Sequence, residues 1–188
     1  MKLIGISGSP RSRGNTHLLL EATLEAARKE GVGVEEISLA DVTIHPCQDC
    51  GVCSQAEDCP QNDDLWPIYE CLKASDGVIL ASPVYFSAVT PTMKALMDRA
   101  GFIARNNGHK FLGKVGGPIA VGNRAGHLFT LGHMLLWFNY CGFVVPGAPY
   151  WATASGRDPG EVRKDEEGFR RARDFGQSVA RLMRRLGT

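Results

Sequence analysis

Residues 1–16 read MKLIGISGSPRSRGNT, and this stretch decides the fold. Residues 1–7 form a short apolar run, which predicts a buried β-strand. A loop rich in glycine, serine and proline follows. From Asn15 onward, HLLLEATLEAARKEG carries apolar residues at helical spacing and stops at Gly31. A strand, a polar loop and a helix in this order predict the first unit of a parallel α/β sheet.

The same alternation continues along the chain. Further strands are expected at residues 32–39, 77–82, 114–122 and 143–146. Further helices are expected over LWPIYECLKAS (capped by Asp63 or Asp64), from about Thr92 to Ala100, over residues 124–140, and from Asp158 to the end of the chain. This pattern predicts an α/β fold: a doubly wound, five-stranded parallel sheet with helices on both faces. In such sheets, ligands bind beyond the carboxyl ends of the strands.

Length and composition narrow the class of protein. The 188 residues suffice for one domain, so a single domain over residues 1–188 is expected, with a Cys-rich insertion at residues 40–62. A net charge of +1 argues against nucleic acid or an anionic membrane as partner. No run approaches the roughly 20 apolar residues of a membrane span, and the N-terminus does not read as a signal peptide. A cytoplasmic location is therefore expected.

The loop from Gly8 to Thr16 is a candidate phosphate site. A helix N-terminus offers free N–H groups and partial positive charge. The side chains that add donors or charge are Ser9, Arg11, Ser12, Asn15 and Thr16. Both the Walker pattern and Gly-x-Gly-x-x-Gly are absent. The loop therefore favours a monophosphate group such as that of FMN, and the alternative is an ordinary βα turn with helix caps.

Two more loops are expected at the same edge of the sheet. The first, SPVYFS, supplies Pro83, Val84, Tyr85, Phe86 and Ser87, whose aromatic rings and backbone N–H groups suit a flat flavin ring. Aromatic residues after a strand are also common in ordinary cores. The second, VGNRAGH, supplies Asn123 and Arg124. Three loops at one edge indicate a site more strongly than any single loop.

Four of the six cysteines lie within residues 47–59. Their spacing is Cys47-x-x-Cys50-x-x-Cys53-x5-Cys59-Pro60, a compact run similar to that of bacterial ferredoxins. Four such thiolates can bind one [4Fe–4S] cluster. Two other uses stay open: a tetrahedral zinc site, which usually draws on two separated Cys-x-x-Cys pairs, and a redox dithiol of Cys50 and Cys53. Cys71 and Cys141 are expected to be small buried apolar residues.

The motifs GISGSPRSRGNT, the Cys-rich loop, DD, and ASPVYFSAVTPTMKALMDR resemble the flavodoxin-like NAD(P)H-dependent FMN reductase superfamily, and among its members the iron–sulfur flavoproteins. The resemblance covers nearly the whole chain and implies a flavodoxin-like fold. It assigns Ser9, Arg11, Asn15 and Thr16 to the FMN phosphate, residues 83–87 to the ring and ribityl chain, and Asn123 and Arg124 to the far side of the ring. It assigns the four clustered cysteines to a [4Fe–4S] cluster.

The resemblance implies a flavin-dependent oxidoreductase that passes electrons between FMN and the cluster. The expected partner is an electron donor or acceptor such as NAD(P)H or a ferredoxin-like protein, and the expected assembly is a homodimer or homotetramer. Three alternatives remain. One is a cluster-free NAD(P)H-dependent FMN or quinone reductase, and another is a phosphate-binding regulatory module with a structural zinc. The third is a non-enzymatic electron carrier of the flavodoxin type, against which the near-neutral charge argues.

Overall fold

The structure is a computed structural model that describes residues 1–187. Its strands are β1 (Lys2–Ser7), β2 (Gly33–Ser38), β3 (Gly77–Pro83), β4 (Val115–Gly122) and β5 (Thr153–Ser155). Its helices are α1 (Asn15–Lys29), α2 (Leu65–Ala74), α3 (Pro91–Asn106), α4 (His127–Tyr140) and α5 (Glu166–Leu186), with 3₁₀ turns at Val52–Ser54 and Glu161–Lys164. The predicted α/β class is confirmed.

All five strands are parallel, and their order is β2-β1-β3-β4-β5. The chain runs outward from β1 to β2 and then crosses to β3 on the other side of β1. The strand order therefore reverses between β1 and β3, and this is the place where parallel sheets open a crevice at their carboxyl ends.

Two apolar layers cover the sheet, one on each face. Alternate residues of each central strand point to opposite faces, so Val78 and Leu80 join one layer while Ile79 and Ala81 join the other. The first layer packs against α2, α3 and α4, and the second against α1 and α5. The flavodoxin-like arrangement, with helices on both faces, follows from this alternation.

The last strand is not where the sequence predicted it. Residues 143–146 are apolar but form only an isolated bridge, in which Val144 pairs with Val115 at the start of β4. Pro146 has no N–H to continue the pairing. The chain instead reaches the carboxyl half of β4 with β5, where Ala120 pairs with Thr153.

Three helix boundaries also differ from the prediction. Helix α5 begins at Glu166 rather than Asp158, because the side chain of Asp165 accepts a hydrogen bond from the N–H of Gly168 (2.8 Å) and caps the helix there. Helix α3 continues past Ala100 to Asn106, and α4 begins at His127 rather than residue 124. Within residues 1–187, no helix is both long and apolar enough to cross a membrane.

Candidate functional site

Loops from four strands meet at the carboxyl edge of the sheet and line a cavity of about 200 Å³. Eight of the residues predicted to bind a flavin line this cavity: Ser9, Arg11, Asn15, Thr16, Pro83, Val84, Tyr85 and Asn123. The other four, Ser12, Phe86, Ser87 and Arg124, belong to the same loops but do not line it. The cavity lies beside the reversal between β1 and β3.

The N-terminus of α1 opens into this cavity without a protein cap. Its N-cap residue, Gly14, forms no side-chain capping bond. Among residues 1–187, no hydrogen bond uses the backbone N–H of Asn15, Thr16 or His17. These donors and the helix dipole make the end of the helix electropositive, which suits a phosphate group. The Arg11 side chain lines the same cavity and forms no ion pair within the described residues.

Hydrogen bonds within the loop before α1 stabilise its conformation. The hydroxyl of Ser9 accepts a hydrogen bond from the N–H of Arg11 (3.1 Å), and the N–H of Gly14 donates to the carbonyl of Arg11 (3.0 Å). A Cβ on Gly14 would lie 3.2 Å from the Ser9 hydroxyl, so glycine allows this close return of the chain. The hydroxyl of Thr16 forms no hydrogen bond among residues 1–187. It remains available to a ligand.

The side chain of Asn15 is already engaged. Its amide nitrogen donates to the carbonyl of Asp158 (2.9 Å), and its amide oxygen accepts from the N–H of Val162 (3.3 Å). The sequence pointed to this side chain as a phosphate donor. In the structure it joins the start of α1 to the segment that follows β5.

A tight turn follows β3. Tyr85 and Ala88 exchange two backbone hydrogen bonds of 2.9 Å, and Phe86 and Ser87 between them have positive φ angles of 47° and 64°. The predicted use of the Tyr85 N–H toward a flavin ring does not fit this turn, because that N–H donates to Ala88. The N–H groups of Phe86 and Ser87 have no such partner among the described residues. Left-handed backbone at two non-glycine residues is strained, and such strain concentrates at functional sites.

The loops are joined to one another before any ligand binds. The hydroxyl of Thr90 donates to the carbonyl of Gly8 (2.7 Å) and ties the loop after β3 to the loop after β1. The hydroxyl of Thr130, on α4, donates to the carbonyl of Ala88 (3.2 Å). Gly126 lets the loop after β4 approach the loop after β3, since a Cβ there would lie 2.8 Å from the Ser87 hydroxyl. Such loops hold a ligand with little loss of conformational freedom.

Sequence reasoning missed residues on the fourth loop. Gly156 and Arg157 follow β5 and line the cavity with the predicted residues. The signal was the segment Gly156-Arg157-Asp158-Pro159-Gly160, which has loop composition. The sequence predicts a last helix that starts at Asp158 and a last strand that ends at residue 146, so it assigns Gly156 and Arg157 to no sheet edge. A correct β5 would have put this segment at the same sheet edge.

The four clustered cysteines line a second cavity, of about 270 Å³. Cys47 and Cys50 are exposed, and Cys53 and Cys59 are half-buried. Among residues 1–187, no group of three or more His, Cys, Asp or Glu side chains is arranged so that it could hold a metal ion. The four positions share one cavity, and their use as ligands of a [4Fe–4S] cluster stays a prediction.

A buried ion pair holds the base of the Cys-rich loop. The guanidinium of Arg99 donates to the Asp63 carboxylate, to the carbonyl of His45 (3.1 Å) and to the Cys59 sulfur (3.1 Å). The side chains of Arg99 and Asp63 are each only 1% exposed. Burial would raise the pKa of Asp63, but the hydrogen bond from Arg99 and two backbone N–H groups outweigh it and lower that pKa. Asp63 also accepts a hydrogen bond from the N–H of Leu65 at the start of α2 (3.2 Å), so the predicted contact with this helix is present beside the ion pair.

A second set of contacts holds the middle of the loop. The hydroxyl of Tyr69 and the ammonium of Lys73 donate to the Glu57 carboxylate (2.9 and 3.1 Å), and these hydrogen bonds lower the pKa of Glu57. The amide of Asn107 donates to the carbonyl of Cys53 (3.0 Å). The amide of Asn106 reaches the Cys53 sulfur (3.7 Å). The loop that carries the cysteines is thus fixed at its base and at its centre.

The remaining two cysteines lie apart from this cavity. Cys141 is buried, as predicted, and burial raises the pKa of its thiol to about 11. Cys71 is half-buried on α2. Because the thiolate is the reactive form, the raised pKa makes Cys141 unreactive at neutral pH.

The fold and the loop geometry define a flavin-dependent oxidoreductase of the flavodoxin-like class. The chain belongs to the NADPH-dependent FMN reductase family, whose pattern it matches over residues 1–158. This membership supports FMN as the cofactor and an electron donor or acceptor as the partner.

Proteins similar to this chain have names that fit this family. The chain is 40% identical to an iron-sulfur flavoprotein of Methanocaldococcus jannaschii, over 98% of each chain. It is 35% identical to an iron-sulfur flavoprotein of Archaeoglobus fulgidus, again over 98% of each chain. A putative NAD(P)H-dependent FMN-containing oxidoreductase of Bacillus subtilis is 32% identical over 53% of this chain and 51% of its own.

Solved structures agree on the fold. The structure resembles RosB with a bound 8-demethyl-8-formylriboflavin-5'-phosphate, with a TM-score of 0.81 and 21% identity, over 100% of this chain and 80% of that one. It also resembles a flavodoxin, WrbA-like protein from Agrobacterium tumefaciens, with a TM-score of 0.70 and 19% identity over 98% of each chain. At these identities the likeness concerns the fold.

Proposed function

We propose that this oxidoreductase binds FMN in the cavity at the sheet edge and carries a [4Fe–4S] cluster on Cys47, Cys50, Cys53 and Cys59. The observation that carries the proposal is the pairing of an uncapped helix N-terminus with a four-cysteine cavity in one chain. Relatives that are 35–40% identical over 98% of the chain are named iron-sulfur flavoproteins.

FMN fits the first cavity by the chemistry of its donors. The N–H groups at the start of α1, the Thr16 hydroxyl and the Arg11 guanidinium offer unused donors to a phosphate group. Ser9 and Ser12 complete the phosphate loop. Residues 83–87, with Asn123 and Arg124, are the proposed contacts of the ribityl chain and ring. Bound FMN supplies hydride and one-electron chemistry, and the protein binds it and sets its electronics.

The second cavity offers the number of cysteines that a [4Fe–4S] cluster needs. Each iron of a [4Fe–4S] cluster takes one thiolate, so the four sulfurs surround a volume, whereas zinc requires four ligands around one point. Here the four cysteines line one cavity, although within residues 1–187 they are not arranged so that they could hold a metal ion. Such a cluster supplies one-electron transfer. Arg99 and Asn106 donate to the sulfurs of Cys59 and Cys53, and hydrogen bonds of this kind tune a cluster's potential.

We also propose a domain organisation, an electron donor, a cellular location and an oligomeric state. Residues 1–188 form one FMN-binding domain with the Cys-rich insertion, and the electron donor is NAD(P)H or a ferredoxin-like protein in the cytoplasm. A homodimer or homotetramer is proposed because α4 exposes large apolar side chains, those of Phe129, Leu136 and Tyr140.

The test is a visible spectrum of anaerobically purified and reconstituted protein, with iron and acid-labile sulfide assays. We expect flavin bands over a broad shoulder and about four irons per chain. Cys53→Ser should lower the iron content, while Cys71→Ser, which changes a half-buried cysteine outside the cavity, should not. Flavin bands without iron after reconstitution would leave a cluster-free reductase. A colourless protein that does not take up FMN would overturn the proposal.

A further inference from the structure

A short segment after β5 forms a fourth wall of the cavity at the sheet edge. Its first residues, Gly156 and Arg157, line the cavity together with Asn15 and Thr16 at the start of α1. The N–H of Gly156 donates to the carbonyl of Gly122 at the end of β4 (2.9 Å), which fixes the segment to the sheet.

Asn15 ties the far end of this segment to α1. Its side chain bonds the carbonyl of Asp158 (2.9 Å) and the N–H of Val162 (3.3 Å), whose own side chain is fully buried. A Cβ on Gly156 would lie 2.9 Å from the amide nitrogen of Asn15. The absence of a side chain at residue 156 therefore lets Asn15 and the segment meet.

Glu161 fixes the backbone at Arg157 itself. One oxygen of its carboxylate accepts hydrogen bonds from the N–H groups of Arg157 (2.9 Å) and Asp158 (3.0 Å). Both ends and the centre of the segment are thus held by named contacts. A charged residue on such a segment has a defined position relative to the start of α1.

Within residues 1–187, the guanidinium of Arg157 has an electrostatic interaction with the Glu161 carboxylate but no hydrogen-bonding partner. It forms no ion pair or side-chain hydrogen bond among residues 1–187, although it lines a cavity that also holds Arg11 and the open end of α1. Two unpaired guanidinium groups beside a helix N-terminus repel one another unless an anion lies between them. Arginine also binds phosphate with two parallel hydrogen bonds, which gives both strength and orientation.

We propose that Arg157 binds the FMN phosphate together with the N–H groups at the start of α1, and that Asn15 is a positioning residue that holds the Arg157 segment in place. The inference rests on the proposed function, since it assigns new residues to the same flavin site. It predicts that the segment after β5 contributes to the preference for FMN over riboflavin, which has the same ring and ribityl chain but no phosphate.

The test compares dissociation constants for FMN and riboflavin, measured by flavin fluorescence on the full chain. Arg157→Gln should weaken FMN binding about tenfold, the loss expected for one charge-assisted hydrogen-bonding group, and leave riboflavin binding unchanged. Arg163→Gln is the matched control, because Arg163 is exposed on the same segment, outside the cavity. It should change neither constant.

A double-mutant cycle tests the positioning role. Asn15→Ala should weaken FMN binding more than riboflavin binding, and Arg157→Gln should cost little further affinity in that background, since the guanidinium is already misplaced. Equal and independent losses from the two changes would contradict positioning by Asn15. A wild type that prefers FMN, with the same preference in Arg157→Gln, would overturn the inference and leave the proposed function standing. A wild type that binds neither flavin would overturn both.

Discussion

Arg99 and Asp63 illustrate how strongly a single residue pair can stabilise the folded protein at the Cys-rich loop. The pair is buried, and Arg99 also reaches His45 and Cys59. The attraction between two buried charges offsets the cost of removing them from water only while both partners are present. Removal of one partner leaves an uncompensated charge in the interior. The pair is therefore a point where one substitution has a large effect.

Asp63→Asn should lower the free energy of unfolding by about 3–5 kcal/mol, because it leaves the Arg99 charge buried and unpaired. The new amide keeps an oxygen that can accept the hydrogen bond from the N–H of His45. The loss of stability therefore measures the effect of removing the negative charge. Urea denaturation of the protein measures it. The control is Asp98→Asn, which breaks the exposed Lys94–Asp98 pair on α3 and should cost about 0.5 kcal/mol or less. Equal losses from both changes would contradict the account.

The turn after β3 is the element that presents aromatic side chains to the flavin site. Tyr85 lines the cavity, while Phe86, the next residue, is fully exposed and does not. The turn is held by the paired backbone bonds of Tyr85 and Ala88 and packs against Gly126. Adjacent aromatic residues in one turn therefore occupy different surroundings.

Tyr85→Ala should weaken FMN binding about tenfold and reduce the quenching of flavin fluorescence, because stacking of an aromatic side chain on a flat ring is lost. Phe86→Ala, the neighbouring control, should have a smaller effect on both. Both variants should unfold within about 0.5 kcal/mol of the wild type, since neither side chain belongs to the core. A larger loss of FMN affinity in Phe86→Ala would show that the turn rearranges on binding.

The Cys-rich loop is held at its centre by the hydrogen bond from Tyr69 to Glu57. Tyr69→Phe keeps the buried ring and removes only the hydroxyl. We expect amide hydrogen exchange in residues 52–58 to become about tenfold faster, as the loss of about 1.4 kcal/mol of local stability predicts. Tyr140→Phe on α4, an exposed tyrosine, is the control and should leave exchange in the loop unchanged. An unchanged rate in Tyr69→Phe would mean that other contacts hold the loop.

At the scale of the whole molecule, the sequence predicted the parts of the fold that local patterns encode. The first strand, its polar loop and α1 follow from apolar spacing and glycine, and Gly77–Pro83 reads as a central strand because both of its faces are buried. The four cysteines that lie close together along the chain also line one cavity, and their use as cluster ligands stays a prediction.

The errors arose where tertiary contacts decide the outcome. Residues 143–146 have the composition of a strand, but only Val144 pairs, and β5 forms ten residues later from a segment with little apolar character. Because the last strand is expected too early in the chain, the sequence does not place Arg157 at the site. The bonds of Asn15 to Asp158 and of Asp63 to Arg99 could not be predicted, because these partners lie 143 and 36 residues away in sequence. Contacts of that range leave no local signal in one sequence.

The most direct test of the account is a crystal structure of the protein with FMN bound. The account predicts the phosphate within hydrogen-bonding distance of the N–H groups at the start of α1, with the ring between the turn after β3 and the loop after β4. Density for FMN at another surface, or with the ring at the N-terminus of α1, would contradict the assignment of this cavity as the flavin site.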